Sequence, residues 1–284
     1  MLVPTMTPEE IYADMCKDAA WLNDQITYKI YPSVQKKIKR CTIFPFIHGC
    51  TLQSKVTKNQ YNIIFFAYSR GDWNRPYSVI YTKYTHESGK TLIHIENARF
   101  AIRIYTPHFI SRYKERMADL VENYRGLASV DIEAFFILRN WDVVEMHTLK
   151  DFCRANPNSG LAKHLERIDN QSKFWKDSDY ERYSVACSMG MCLCERHKTN
   201  PYISIYDTFI SPDLLKETQW VDFVPAYSHV MLNSLCRVHP KHKDRIVSEW
   251  NSWKNNLPED ANLIQFMLDL INELIERYPL PALY

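Results

Sequence analysis

The sequence predicts an α+β fold, in which an antiparallel, sheet-rich middle lies between a helical N-terminal arm and a helical C-terminal segment. A helix-start signature opens the chain, aromatic and β-branched residues then alternate with period two, and a long helical pattern returns at the end. Hydrophobic residues make up 46% of the 284 residues and charged residues 24%, which is the balance of a globular protein rather than a disordered or fibrous one.

The N-terminal arm begins with a capping signature. Residues 7–10, Thr-Pro-Glu-Glu, supply a hydroxyl N-cap, a proline at the first helical position and a glutamate that can bond back to the cap. We therefore expect a helix over residues 8–22 and a second helical stretch that ends near Arg40. Together these helices define an arm of residues 1–56.

The pattern then changes to period two. Because alternate side chains of a strand face opposite sides of a sheet, aromatic and β-branched runs separated by turn residues predict an antiparallel meander. Its four strands are residues 61–68, 77–84, 91–96 and 100–105, and residues 41–53 are a candidate extra strand.

Helical and strand patterns alternate in the rest of the predicted core. Thr106 and Pro107 repeat the helix-start signal, and an amphipathic pattern follows over residues 107–125. Asp131 is the expected N-cap of a short apolar helix that ends at residue 138. Two more short helices are expected at 148–154 and 161–168, and strands at 180–188, 191–196 and 202–210. The α+β core is assigned residues 57–225.

The C-terminal segment, residues 226–284, is expected to be helical and packed on the core. Its clearest helix covers residues 262–278, where apolar side chains recur along one stripe. Packing of the stripe inside the domain is the simpler interpretation, and a dimer seam is the alternative. The stripe consists of Leu263, Met267, Leu270, Ile271, Leu274 and Tyr278.

The cysteines fit a reducing compartment. The first residues show no basic stretch followed by an apolar one, so we expect no secretory signal. Apolar runs such as 63–67 and 134–138 are too short to cross a bilayer, so we expect no membrane partner. The eight cysteines are then most simply reduced thiols of a cytoplasmic protein.

A cluster of three cysteines and His197 is the one grouping dense enough to suggest a metal. The expected hairpin turn at residues 189–190 places Cys187, Cys192 and Cys194 on one face of the sheet and His197 on the other. Tetrahedral zinc needs four converging ligands. We therefore predict no metal site here, and no cofactor elsewhere.

Composition and missing motifs narrow the function. The net charge of +2 excludes a strongly basic nucleic-acid coat, although it permits a local basic site. The sequence contains no GxxxxGK[ST], GxGxxG, GxSxG or HExxH motif. These absences argue against assigning the protein to the nucleotide hydrolases, dinucleotide-dependent enzymes, serine hydrolases or zinc proteases.

The most informative segment is the start of the helix at residue 107. His108, Arg112 and Arg116 are spaced four apart, so each lies one turn above the last, near the positive end of the helix. A phosphodiester needs a proton donor or acceptor and guanidinium groups for developing charge, and this line supplies both. The alternative is an ordinary solvated face of an amphipathic helix.

Residues 99–211 also resemble the barnase–EndoU–colicin–RelE superfamily of small metal-independent RNases, particularly its phage and mobile-element members. In several of these a histidine near a helix start and an arginine one turn later precede the sheet, and a hydroxyl residue lies on a late strand. The resemblance implies RNA cleavage by transesterification, with His108 as base or acid. Arg112 and Arg116 would stabilise the phosphorane charge, and Thr208 would bind a non-bridging oxygen.

The same reading makes Arg182 a candidate phosphate contact and Tyr183 a candidate stacking surface for bases. RNA is then the expected partner. Two alternatives stay open. In the first, the chain is a non-enzymatic phage or mobile-element protein that binds a protein or nucleic-acid partner. In the second, it is a structural protein whose C-terminal helix forms oligomers.

Two further features have a functional as well as a structural interpretation. Residues 36–40, Lys-Lys-Ile-Lys-Arg, form a basic run at a predicted helix end, and Trp73 lies in the predicted loop 72–76. Either could contact nucleic acid. A solvated helix end, where cations suit the helix dipole, and ordinary turn chemistry are the simpler interpretations.

Overall fold

The computed structural model describes residues 2–96, 100–116, 130–139, 143–145, 179–255 and 262–280. It confirms the α+β class, with helices towards both ends of the chain and a nine-stranded, mostly antiparallel sheet.

The chain divides into two compact units. The first unit comprises Met1–Arg139, Asp179–Glu181 and Cys194–Phe209, and the second comprises Asn140–Ser178, Arg182–Leu193 and Ile210–Tyr284. This division follows spatial contacts rather than the change from helix to sheet. Its boundaries therefore differ from those of the three segments that the sequence suggests.

The N-terminal helices of the first unit are α1 (Pro8–Cys16), α2 (Ala19–Asp24), a π-helical stretch (Gln25–Ile30) and α3 (Tyr31–Arg40). The capping box forms as expected: the Thr7 N–H donates to the Glu10 carboxylate at 2.8 Å, and the Glu10 N–H donates to Thr7 Oγ1 at 3.3 Å. The single helix expected over residues 8–22 is wrong, because α1 ends at Cys16.

The break lies beside Asp18, whose side chain is buried. Its carboxylate accepts hydrogen bonds from the hydroxyls of Ser54, Thr57 and Tyr61. Because a buried carboxylate must be satisfied by several donors, these contacts fix the position of Asp18 against the β1–β2 connection. The helix is interrupted there, and no local helical pattern reveals this.

The strands occur where the sequence places them, with small shifts. They are β1 (Phe46–Gln53), β2 (Gln60–Ala67), β3 (Tyr77–His86), β4 (Gly89–Glu96), β5 (Ala101–Tyr105), β6 (Val144–Glu145), β7 (Tyr180–Cys187), β8 (Gly190–His197) and β9 (Ile203–Ile210). The exception is the two-residue strand β6, which the sequence does not predict. Their order in the sheet is β1-β2-β3-β4-β5-β9-β8-β7-β6. Strands β1 to β5 form the predicted antiparallel meander, including the candidate extra strand, whereas β5 and β9 are parallel.

One face of the first unit's sheet is apolar and packs with the N-terminal helices. Side chains of α1 and α3, including Ile11, Met15, Val34 and Ile38, share a core with alternate residues of the strands. The strand residues of this core are Tyr61, Ile63, Phe65, Ala67, Ile80, Ile93, Ile95, Ile102, Ile104 and Ile203.

The opposite face carries α4 (Pro107–Arg116) and α5 (Ile132–Leu138). The ring of Phe109 lies 5.1 Å from that of Tyr105, and the ring of Phe135 lies 5.4 Å from that of Phe66. Helix α4 approaches the β3–β4 turn closely: at Gly89, with φ of 121°, an added Cβ would lie 3.3 Å from Pro107 Cβ.

Several predicted elements fall beyond these helices. The rest of the helix expected after Arg116, with its apolar residues Met117, Leu120, Val121 and Tyr124, lies outside the described residues. The short helices expected at 148–154 and 161–168 lie outside them too.

The second unit contains the C-terminal helices α6 (Glu217–Val238), α7 (Lys243–Asn255) and α8 (Leu263–Arg277). A 3-10 turn, Pro212–Leu214, precedes α6. Met267, Ile271, Leu274 and Tyr278 are buried in one core with residues of α6 and α7. The apolar stripe therefore packs inside its own unit, as the simpler interpretation predicts. Among the described residues, no helix combines the length and hydropathy needed to cross a membrane.

Candidate functional site

The start of α4 is fastened to the end of β9. Thr106 Oγ1 accepts the N–H of Phe109 at 3.1 Å and donates to the carbonyl oxygen of Asp207 at 3.1 Å. The Thr106 N–H also donates to the carbonyl oxygen of Tyr206 at 3.1 Å. These bonds hold the first turn of α4, which carries His108, beside the strand that carries Thr208.

The outer face of α4 is exposed. His108 and Arg112 lie on it, whereas Phe109 and Tyr113 are buried beneath the helix. Arg112 Nη1 lies 2.8 Å from Glu115 Oε2, and the two side chains are 44% and 56% exposed. The guanidinium is therefore accessible to a ligand, but its charge is already compensated within the helix.

Arg116 and Thr208 are less open. Arg116 is half-buried, and its Nη1 atom is buried without a hydrogen-bond partner among the described residues. Thr208 is also half-buried, and its hydroxyl lies 3.4 Å from Asp207 Oδ2. The structure thus brings the turn of His108 and the strand of Thr208 together. The guanidinium of Arg116, in contrast, is partly buried and is less accessible than that of Arg112.

The two candidate substrate contacts lie on β7, in the second unit. Tyr183 is only 9% exposed, so its ring offers no open stacking face. The side chain of Arg182 lies outside the described part of the structure.

The cysteine cluster is buried. Cys187, Cys192 and Cys194 are each less than 5% exposed. The strand bounds place the connection between β7 and β8 at residues 188–189, one position earlier than the sequence predicts. Within the described ranges, no group of three or more ligating side chains is placed to hold a metal ion.

A network of paired charges, which sequence reasoning missed, joins α4 and α5 to strands β3 and β4. Lys83 Nζ lies 2.7 Å and Lys90 Nζ 3.0 Å from Asp131 Oδ2, and Glu133 pairs with Lys90 and Lys114 at 3.3 Å each. Burial alone would raise the pKa of Asp131, but hydrogen bonds from Lys83 and the Ala134 N–H and the charge of Lys90 lower it to about 2.

A row of polar residues crosses the same face of the sheet. Directly opposed residues on neighbouring strands share a face, and here the opposed residues of six strands are all polar. They are Thr51, Asn62, Tyr81, His94, Arg103 and Ser204, in order from β1 to β9. Near the β1 end an open cavity of about 180 Å³ is lined in part by Asn62, Tyr81, Lys83 and Asp131.

At the centre of the row His94 is 6% exposed, and its Nδ1 has no hydrogen-bond partner among the described residues. Burial, with the neighbouring charge of Arg103, lowers the pKa of His94 to about 3, so the imidazole is neutral at ordinary pH. Arg103 itself pairs with Glu96. The available sequence signal was a histidine and an arginine inside apolar strands, but only the register shows that they are neighbours.

Comparison of the chain with protein-family models, with curated protein sequences and with solved structures found no match in any of the three. The functional proposal therefore rests on the residues of this chain.

Proposed function

We propose that the chain is a metal-independent ribonuclease that cleaves RNA by transesterification. The observation that supports this most strongly is the junction of α4 and β9. It holds an exposed histidine and an exposed arginine on the first turns of one helix, next to a strand that carries Thr208. Attack at a phosphodiester needs at least an accessible group that accepts a proton and a cation, such as a guanidinium, that stabilises the developing negative charge.

In this reaction the 2′-oxygen of one nucleotide bonds to the adjacent phosphorus, and the bond from phosphorus to the 5′-oxygen breaks. His108 takes the proton of the 2′-hydroxyl, and the departing 5′-oxygen takes a proton from water. The hydroxide that remains accepts the proton held by His108, which restores the neutral imidazole and the water. Arg112 turns from Glu115 to a non-bridging oxygen, where Thr208 donates a hydrogen bond. The products are a 2′,3′-cyclic phosphate and a 5′-hydroxyl.

The other candidate residues have smaller parts in the proposal. Arg116 is half-buried and contributes positive field rather than a contact. Tyr183 is left out because its ring is buried, and Arg182 is assigned no contact.

The test is cleavage of a labelled RNA of mixed sequence in EDTA by the wild type, His108→Ala and Ser111→Ala. Ser111 is exposed on the same helix and is the matched control. We expect His108→Ala to cleave roughly 100-fold or more slowly, as loss of a general base does, while Ser111→Ala matches the wild type. An intact RNA with the wild type, or equal rates for the wild type and His108→Ala, would contradict the proposal.

A non-enzymatic nucleic-acid-binding protein is the second candidate. It is favoured by the ion pair of Arg112 with Glu115, because a guanidinium already paired is less ready to stabilise a transition state. Binding of RNA without any cleavage by the wild type would support this candidate over the first.

A further inference from the structure

Two features that lie more than thirty residues apart in the sequence form one surface in the first unit. Tyr31, Gln35 and Lys39 are spaced four apart, so they share one edge of α3. This edge lies along the 3-10 helix Arg70–Asn74 that precedes β3. We name the exposed residues Lys36, Lys39, Arg40, Trp73 and Arg75, together with this edge, the α3 surface.

Specific contacts fix the two elements together. The Tyr31 hydroxyl and the Gln35 amide both donate to the carbonyl oxygen of Asn74, at 3.2 and 3.3 Å. Arg70 Nη2 donates to the carbonyl oxygen of Cys41 at 3.0 Å. The 3-10 helix is therefore held along α3, and these contacts determine the position of Trp73.

Trp73 is held but not covered. Lys39 Nζ lies 3.4 Å from the centroid of its ring, a cation–π contact that orients the indole. The side chain still has 37% of its surface exposed, which is unusual for the largest apolar residue. An oriented, exposed indole is well suited to stack against another flat group.

The cations of this surface lack acidic partners. Within the described residues, no carboxylate pairs with Lys36, Lys39 or Arg40, and α3 itself contains no acidic residue. The carboxylate of the 3-10 helix, that of Asp72, accepts the N–H groups of Tyr68 and Ser69. The surface therefore carries an excess of positive charge on a protein whose net charge is only +2.

We propose that the α3 surface binds single-stranded RNA, with phosphates beside Lys36 and Arg40 and a base stacked on Trp73. Charge complementarity selects a polyanion, and the exposed indole selects one with unpaired bases, because bases within a duplex present no free π-face. The choice of RNA over DNA rests on the proposed ribonuclease function.

The test measures binding by fluorescence anisotropy of a labelled 12-nucleotide RNA in EDTA. All proteins carry His108→Ala, so the probe stays intact. Trp73→Ala should weaken binding roughly 5- to 150-fold, the range for one stacked base. Lys36→Ala and Arg40→Ala should each lower the slope of log K against log salt by about 0.7. The matched control is Lys55→Ala, an exposed lysine in the β1–β2 connection, which should change neither quantity.

Three outcomes would overturn the proposal: no binding of the RNA, equal weakening by Lys55→Ala, or equal or tighter binding of the same sequence as DNA or as a duplex. Binding to vesicles that contain phosphatidylserine, with the same dependence on Lys36 and Trp73 and without RNA binding, would also overturn it. Because cleavage is not needed for the readout, a protein that binds through this surface but never cleaves RNA would contradict the ribonuclease alone. Circular dichroism melts show whether each variant is folded.

Discussion

Cations on two surfaces of the first unit differ in their partners. On the side of the sheet that carries α4 and α5, five cations pair with a carboxylate: Lys83, Lys90, Arg103, Arg112 and Lys114. Arg116 of α4 has no such partner among the described residues, but its Nη1 atom is buried. On the α3 surface, Lys36, Lys39 and Arg40 have no such partner among the described residues. Paired cations hold the protein together, whereas unpaired cations are available to an external polyanion.

This difference also bears on the proposed active site. His108 and Arg112 lie on an exposed helix face, but a substrate phosphate must compete with Glu115 for Arg112. On the α3 surface, no carboxylate among the described residues is paired with Lys36, Lys39 or Arg40, so a phosphate has no such competitor there. We therefore expect affinity for RNA to come mainly from the α3 surface and rate to come mainly from His108.

The largest expected effect concerns acid. The pKa of His94 is about 3 in the folded protein, against 6.5 for a free imidazole, so the unfolded chain binds the extra proton first as pH falls. The stabilisation is complete above pH 6.5 and is lost as pH falls towards 3. We expect the free energy of unfolding to drop by about 3 kcal/mol between pH 6.5 and 4.

Urea titrations at several pH values measure this change. The variant His94→Gln should show a flatter profile over the same window, because it removes the titrating group next to Arg103. Asp131 affects the stability at lower pH. Because its pKa is about 2 in the folded protein and 3.8 in the unfolded chain, its contribution to the free energy of unfolding is present above pH 3.8 and is lost only as pH falls further. Parallel profiles for wild type and His94→Gln between pH 6.5 and 4 would contradict the expectation that protonation of His94 causes this loss of stability.

A slightly smaller effect is expected from breaking the paired-charge network. Asp131→Ala removes the partner of Lys83 and Lys90 and the N-cap of α5, so it should lower the free energy of unfolding by about 2 kcal/mol. The control Asp24→Ala removes an exposed carboxylate of the same unit and should cost at most about 0.5 kcal/mol. Urea unfolding at pH 7 compares them, and equal losses would show that the network contributes nothing special.

The sequence predicted local features well because helix caps and strand alternation are local signals. The capping box at Thr7, the antiparallel pairing of β3 with β4 and the buried stripe of α8 all follow from patterns a few residues long. Features that depend on distant pairing were missed. The parallel contact of β5 with β9 joins segments about a hundred residues apart, and the break at Asp18 depends on donors from residues 54–61.

The same distinction applies to the candidate sites. The spacing of His108 and Arg112 was readable, but the pairing of Arg112 with Glu115 and the burial of Tyr183 needed the fold. The row through His94 was invisible because strand register is set by the whole sheet. The basic run and Trp73 each looked ordinary alone, and the contacts that bring them together, such as that of Lys39 with the indole, are seen only in the fold.

A moderate effect is expected from freeing Arg112. Glu115→Gln removes its partner, so the affinity for RNA should rise by about twofold to fivefold, the scale of one exposed ion pair. Asp24→Asn removes one negative charge elsewhere in the same unit and separates this local effect from net charge. Anisotropy titrations at low salt give both affinities, and an equal rise for the two variants would mean that Arg112 is not involved.

The smallest effect concerns the stability of the α3 surface. Lys36→Ala and Arg40→Ala remove exposed cations that have no carboxylate partner among the described residues, so the free energy of unfolding should change by less than about 0.5 kcal/mol. Urea unfolding at pH 7 measures this directly. A loss above about 1 kcal/mol for either variant would show that these side chains serve the fold instead of a ligand.

The most direct test of the division between binding and cleavage is the single-turnover rate of RNA cleavage in EDTA, measured over a range of protein concentrations. The Lys36→Ala/Arg40→Ala variant should need more protein to reach half of its maximal rate but should reach the same maximum as the wild type. His108→Ala should bind at the same concentrations and show a maximum lower by roughly 100-fold or more. A lowered maximum for both variants, or no cleavage by the wild type, would contradict the account.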